Sequence, residues 1–157
     1  MSDEETRRVI DFCKLVSYAD EARFAAELGD YLDLDAFARF MAVTVWLSTL
    51  DSILGPGQNF LVFLHPGTRR FQFIPCGLDV RDGQFPLIGS QDQRENLSLQ
   101  HPWQGESRFL GRVFGVEAFQ EKYRARLAEF NRTICRPERL QQQVDEGLFG
   151  RRGEGGL

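Results

Sequence analysis

Apolar residues near the start of the chain recur at helical spacing, with Val9, Phe12, Cys13 and Val16 on one face. Ser2 followed by Glu5 reads as a capping box ahead of them, so a first helix is predicted over residues 3–17. Asp20 is placed to cap a second, short helix that stops at Gly29, where glycine can take the left-handed conformation. Asp33 or Asp35 then opens a third. From Phe37 to Leu50 the run FARFMAVTVWLSTL is apolar on nearly every side, the mark of a helix buried at the centre of a domain. Trp46 and the phenylalanines belong to its core, and its C-terminal end would deliver Asp51.

The pattern then changes period. Residues 59–64 (NFLVFL) and 70–75 (RFQFIP) are rich in branched and aromatic side chains, and Pro66 and Gly67 lie between them, which predicts a β-hairpin. Residues 76–105 show little periodicity and read as a long irregular loop over the surface or a cleft, of the kind that often carries function. Two further helices follow, over residues 107–114 and 116–133, the second with an apolar stripe of Phe119, Tyr123, Leu127 and Phe130. Pro137 begins a last helix that fades towards Gly147, and residues 148–157 are too glycine-rich to fold and read as a disordered tail. The predicted fold is mainly α with one β-hairpin (α+β), in one domain over residues 1–147. A lone hairpin is marginal and must pack against these helices.

Composition narrows the function classes. In 157 residues that are 42% hydrophobic and 27% charged there is room for one self-sufficient core. The formal charge of −4 argues against a general nucleic-acid binder. Cys13, Cys76 and Cys135 are too few and too far apart for a disulfide framework or a zinc knuckle, and read as free thiols in a reducing compartment. No stretch approaches the roughly 20 apolar residues of a membrane helix, so neither nucleic acid nor membrane is an expected partner. The acidic start MSDEETRRVIDF lacks the features of a signal peptide. As written the chain reads as cytoplasmic, and as surface or exported if its true start lies upstream.

The stretch most suited to chemistry runs from Asp51 to Asp79, DSILGPGQNFLVFLHPGTRRFQFIPCGLD. A hairpin holds its two ends together, so Asn59 at one end and Cys76 to Asp79 at the other should face a common space. An aspartate, an asparagine and a further aspartate around a hairpin is how a protein-kinase fold places its catalytic base and its magnesium ligands. On local context alone Asp51 is a helix-terminal acid and Asn59 a turn residue. His65 and His101 lie in Pro-adjacent turns without partners at metal or triad spacing. Arg69, Arg70, Arg151 and Arg152 read as solvated charges.

Tyr31 to Asp33, Asp51, Gly55 to Gly57, Asn59 to Phe63 and Ile74 to Asp79 together resemble the CotH family of bacterial spore-coat kinases, atypical members of the protein-kinase fold. The closing stretch from Arg108 to Glu146 is similar to that family's last helices. The resemblance implies the C-lobe of a kinase-like fold and ATP-dependent phosphorylation of serine on coat or surface proteins, with Mg2+ or Mn2+ as the metal accompanying ATP. It assigns Asp51 as the catalytic base and Asn59 as a metal ligand.

Two departures bear on activity. The family pattern Ile-Pro-Trp-Asp-x-Asp reads Ile-Pro-Cys-Gly-x-Asp here, so Gly77 stands at the principal metal ligand. Asp79, two residues on, faces the same side of an extended strand and is the substitute metal ligand, about 6–7 Å further along. Cys76 is a poor magnesium ligand and reads as an ordinary buried cysteine; Asp82 reads as a turn residue. No strand-rich, Gly-rich phosphate cradle precedes residue 31, and Lys14 sits on a helix, so the N-lobe is expected to be missing. Activity is therefore expected to be impaired. The alternative is a pseudokinase-type interaction module with a protein partner, or a fragment of a larger protein.

Overall fold

The computed structural model describes residues 2–77, 90–92 and 96–150. Asp79, Asp82 and the tail from Arg151 lie outside them. Helix α1 spans Asp3–Tyr18 and opens on the expected reciprocal cap, with the Glu5 N–H on the Ser2 hydroxyl and the Ser2 N–H on the Glu5 carboxylate. Its buried residue is Leu15, flanked by half-buried Val9, Phe12 and Val16, whereas Cys13 is exposed. The apolar face is thus turned slightly from the one the spacing suggested.

Helix α2 spans Glu21–Tyr31, capped by Asp20, whose carboxylate accepts from the Arg23 N–H at 2.8 Å. It runs through Gly29 instead of stopping there. Tertiary contacts hold the extra turn: Tyr31 stacks on Phe12 with centroids 5.8 Å apart, the Arg8 guanidinium lies 3.9 Å from the Tyr31 ring centroid, and Leu32 is fully buried. Leu32 also forms a parallel bridge to Phe71. Asp33 then caps helix α3, Leu34–Trp46, accepting from the Ala36 N–H at 3.0 Å and from the Gln72 amide at 2.9 Å. Tyr31, Leu32 and Asp33 therefore weld α2, α3 and the hairpin together.

Helix α3 is the central element, with Phe37, Ala38, Phe40, Met41, Ala42, Thr44 and Val45 buried. It ends four residues before the predicted Leu50, because Ser48 takes a left-handed φ of 49° and the chain passes into turns. Trp46, in its last turn, is 38% exposed and not a core residue. Strands β1 (Phe60–Leu64) and β2 (Phe71–Pro75) pair antiparallel in the register Phe60 to Pro75 and Leu64 to Phe71. Phe73 carries the hairpin onto the core, 4.9 Å from Phe37 and 5.7 Å from Phe109 between ring centroids. Leu61, Phe63 and Ile74, on the opposite side of the pleat, are exposed.

Helices α4 (Arg108–Phe114), α5 (Glu117–Thr133) and α6 (Pro137–Gly150) close the fold. Phe119 and Tyr123 of the α5 stripe are buried, and Leu127 and Phe130 pack at its edge. The structure is thus mainly α with a single two-stranded sheet among the described residues. No helix in them is long and apolar enough to cross a membrane.

One stabilising residue gave no signal in sequence. Arg112 of α4 is only 8% exposed and fastens α4 to the junction of α1 and α2. Its terminal nitrogens donate to the carbonyls of Leu15 (3.3 Å), Val16 (2.7 Å), Ala19 (2.7 Å) and Asp20 (3.1 Å). Its Nε makes a 3.2 Å ion-pair contact with Glu21, and the guanidinium lies 4.2 Å from the Phe24 ring centroid. The carbonyls of Leu15 and Asp20 also accept from the N–H groups of Ala19 and Phe24, so the guanidinium adds to those helical bonds while supplying donors to Val16 and Ala19, where α1 ends.

Candidate functional site

Asp51 is delivered by a run of turns after α3, and those turns are locked from within. The Ser52 carbonyl accepts from the N–H groups of Gly55 (3.2 Å) and Gly57 (3.0 Å), while the Ser52 hydroxyl accepts from the Leu54 N–H at 3.1 Å. Gly57 has φ of 77°, a value that favours glycine. The later loop pins the turn from the other side, the Gln104 N–H donating to the Leu54 carbonyl at 2.7 Å beside buried Trp103.

Asp51 and Asn59 lie against each other. The Asn59 side-chain amide donates to the Asp51 main-chain carbonyl at 2.7 Å, which leaves the Asn59 side-chain oxygen as an acceptor. Asn59 sits at φ of 58°, a conformation that asparagine tolerates better than most side chains. Its own carbonyl accepts from the Cys76 N–H at 3.0 Å, so the two ends of the hairpin are tied where the site lies. Cys76 itself is exposed and not buried as expected, because it follows the last paired residue of the hairpin, Pro75, instead of packing on the core.

Gly77 comes to the same place. A Cβ on Gly77 would stand 3.2 Å from both Cγ and Oδ1 of Asn59. Its φ is 61°, again left-handed. A side chain at position 77 would therefore begin against the Asn59 carboxamide, and glycine supplies no atom there.

Gln58 was not foreseen. Its side-chain amide donates to Asp51 Oδ1, so one carboxylate oxygen of Asp51 is held and oriented. An exposed glutamine beside a glycine turn carries no chemical signature; only the fold brings it onto the aspartate. His65 serves its turn, its Nδ1 accepting from the N–H groups of Gly67 and Thr68, both at 3.1 Å. His101 lies over Trp103 with centroids 3.9 Å apart. Arg69 is not simply solvated: it pairs with Glu4 at 3.1 Å, and its carbonyl accepts from Arg8 Nε at 3.1 Å.

As a metal centre the described residues fall short. Magnesium is usually held by one or two carboxylates together with substrate phosphates and water. Here Asn59 meets Asp51 through its amide nitrogen on the main-chain carbonyl, one Asp51 carboxylate oxygen is taken up by Gln58, and no group of three or more His, Cys, Asp or Glu side chains able to hold a metal occurs among the described residues. The donor set does not fit a complete magnesium site. What the arrangement can do by itself is present a carboxylate, oriented by Gln58, as a proton acceptor.

A family model described as CotH kinase protein matches residues 1–147. No curated protein matches the chain.

Proposed function

The chain belongs to the CotH kinase family, and on that premise we propose that it carries a CotH-type phosphotransfer site in weakened form. The activity so inferred is ATP-dependent transfer of phosphate to serine on a coat or surface protein. Asp51 is the proton acceptor for the substrate hydroxyl, with Gln58 orienting its carboxylate. Asn59, together with Asp79 whose position lies outside the described residues, would be the ligands left for Mg2+ or Mn2+ brought with ATP, a set that the described residues do not complete. Bound metal would neutralise phosphate charge, which is the larger part of catalysis in this chemistry.

The observation that supports weakening is Gly77, whose missing side chain would start 3.2 Å from the Asn59 oxygen. Calorimetry with ATP and Mg2+ or Mn2+ tests the proposal, with Asp51→Ala and Asn59→Ala as controls. Weak heat that both substitutions abolish is the expected result. Tight binding by the wild type would refute the weakening, and no heat at all would remove the enzyme and leave an interaction module.

That second reading draws on one further observation. Leu61, Phe63 and Ile74 on the outer face of the hairpin are 61%, 45% and 47% exposed, next to the candidate site. An apolar sheet face of this kind suits a protein partner.

A further inference from the structure

Helices α5 and α6 meet around an open concavity of about 850 Å3, lined among others by Arg132, Arg136 and Arg139. None of these arginines has a carboxylate partner among the described residues. Each is anchored by a single N–H. Arg132 Nε donates to the Ala128 carbonyl (3.2 Å), Arg136 Nε to the Arg132 carbonyl (2.6 Å), and a terminal nitrogen of Arg139 to the Thr133 carbonyl (3.4 Å). Those carbonyls lie in the last turns of α5, at the negative end of its dipole, which accounts for one donor from each arginine. It does not account for the rest. With Nε engaged in Arg132 and Arg136, both terminal nitrogens of each remain free among the described residues, and a guanidinium's planar array of donors suits bidentate contact with an oxyanion.

We infer that this concavity binds a phosphoserine or phosphothreonine within a polypeptide segment. A phosphomonoester brings nearly two negative charges and three acceptor oxygens at neutral pH, a closer match than a carboxylate to three guanidinium groups that make no ion pair among the described residues. Glu138 and Glu146 line the same concavity. They oppose a continuous polyanion such as a nucleic-acid backbone, as does the overall charge of −4, while one discrete dianion fits between the arginines. The space is far larger than a phosphate group, and the Gln142 side chain at its wall, which gives one amide hydrogen to Glu146 at 2.8 Å, keeps its oxygen and second amide hydrogen for flanking peptide groups. No residue of this basin is shared with Asp51, Gln58 or Asn59, so the inference stands whether or not the chain transfers phosphate.

Fluorescence anisotropy on the full chain tests it, using a short labelled Gly/Ser peptide with one phosphoserine. The probes compared with it are the unphosphorylated peptide, inorganic phosphate, a single-stranded oligonucleotide and phosphatidylserine vesicles. The phosphopeptide is expected to bind at least tenfold tighter than its unphosphorylated form. Arg136→Gln should weaken it about tenfold, the loss of one charge-assisted hydrogen bond, with an unchanged circular dichroism spectrum. Arg136→Lys should recover only part of the affinity, and Asp51→Ala should bind like the wild type. The inference is overturned if the unphosphorylated peptide binds equally, or if the oligonucleotide or vesicles bind more tightly than the phosphopeptide. Competition by inorganic phosphate as strong as that by the peptide, full rescue by lysine, or loss of binding in Asp51→Ala would overturn it too.

Discussion

Replacing Gly77 by aspartate puts back the acid that the family pattern carries, and the structure sets what this costs. At φ of 61° a non-glycine residue is disfavoured by about 1–2 kcal/mol, aspartate falling at the lower end. The new Cβ lies 3.2 Å from Cγ and Oδ1 of Asn59, tighter than ordinary van der Waals contact, so Asn59 must give way. Asn59 is held by its 2.7 Å bond to the Asp51 carbonyl, and disturbing that bond adds about 1 kcal/mol. Gly77→Ala and Gly77→Asp should therefore each lose about 2–3 kcal/mol in EDTA, a fall in Tm of roughly 4–12 °C for a chain of this size. Manganese separates them. At a hundredfold excess over its Kd, Mn2+ returns about 2.7 kcal/mol to a protein that binds it only when folded. Thermal unfolding followed by fluorescence should show Mn2+ restoring Gly77→Asp to near wild-type Tm while leaving Gly77→Ala unmoved. Equal behaviour of the two variants in Mn2+ would refute the placement of position 77 at a metal site. A loss below about 0.5 kcal/mol in Gly77→Ala would refute the close contact with Asn59.

Arg112→Ala should cost about 3–5 kcal/mol in urea unfolding, since it strips a buried charge from four carbonyls and Glu21; a loss under about 1 kcal/mol would mean that water replaces the guanidinium. Leu61→Lys and Phe63→Lys should change the unfolding free energy from urea titration by no more than about 0.5 kcal/mol each, because both side chains are exposed, and a larger loss would show the outer face of the hairpin packed in solution. The acid limb of stability follows from Asp33 and Asp35. Burial raises the Asp33 pKa, but the Ala36 N–H and the Gln72 amide outweigh it, and the hydrogen bond from Arg126 lowers that of Asp35, so both titrate below the ordinary 3.8. With folded values depressed, the unfolded chain binds more protons as pH falls. The contribution is complete above the unfolded value and is lost as pH drops through the folded ones. Urea titrations from about pH 5 down to about pH 2 should show a shallower acid slope in Asp33→Asn; an unchanged slope would remove Asp33 from the account.

Much of the fold was legible because it is written in short-range chemistry. Ser2, Asp20 and Asp33 each cap a helix through an N–H three residues on, a contact that the local backbone makes with little help from elsewhere. The hairpin was legible for a similar reason, since two runs of branched and aromatic residues parted by Pro66 and Gly67 are a property of neighbouring residues. The misplaced end of α2 was decided from a distance. Gly29 offered a stop, but Tyr31 and Leu32 gain more by continuing onto Phe12 and Phe71. Trp46 looked like core because its neighbours are apolar; its position near the end of α3 leaves it partly in solvent.

The candidate site divides in the same way. By itself the sequence determined which chemical groups exist: an aspartate at 51, an asparagine at 59 and no side chain at 77, along with the family to which that order belongs. Only the tertiary structure decided which of them touch. The Asn59 amide on the Asp51 carbonyl, the Gln58 amide on the Asp51 carboxylate and the approach of Gly77 to Asn59 depend on left-handed residues at 59 and 77 and on the tie between the hairpin's ends. Arg112 shows the limit most plainly, for its partners lie more than ninety residues away in the chain. A residue's type is local information, whereas the distance between two residues is set by the packing of everything between them.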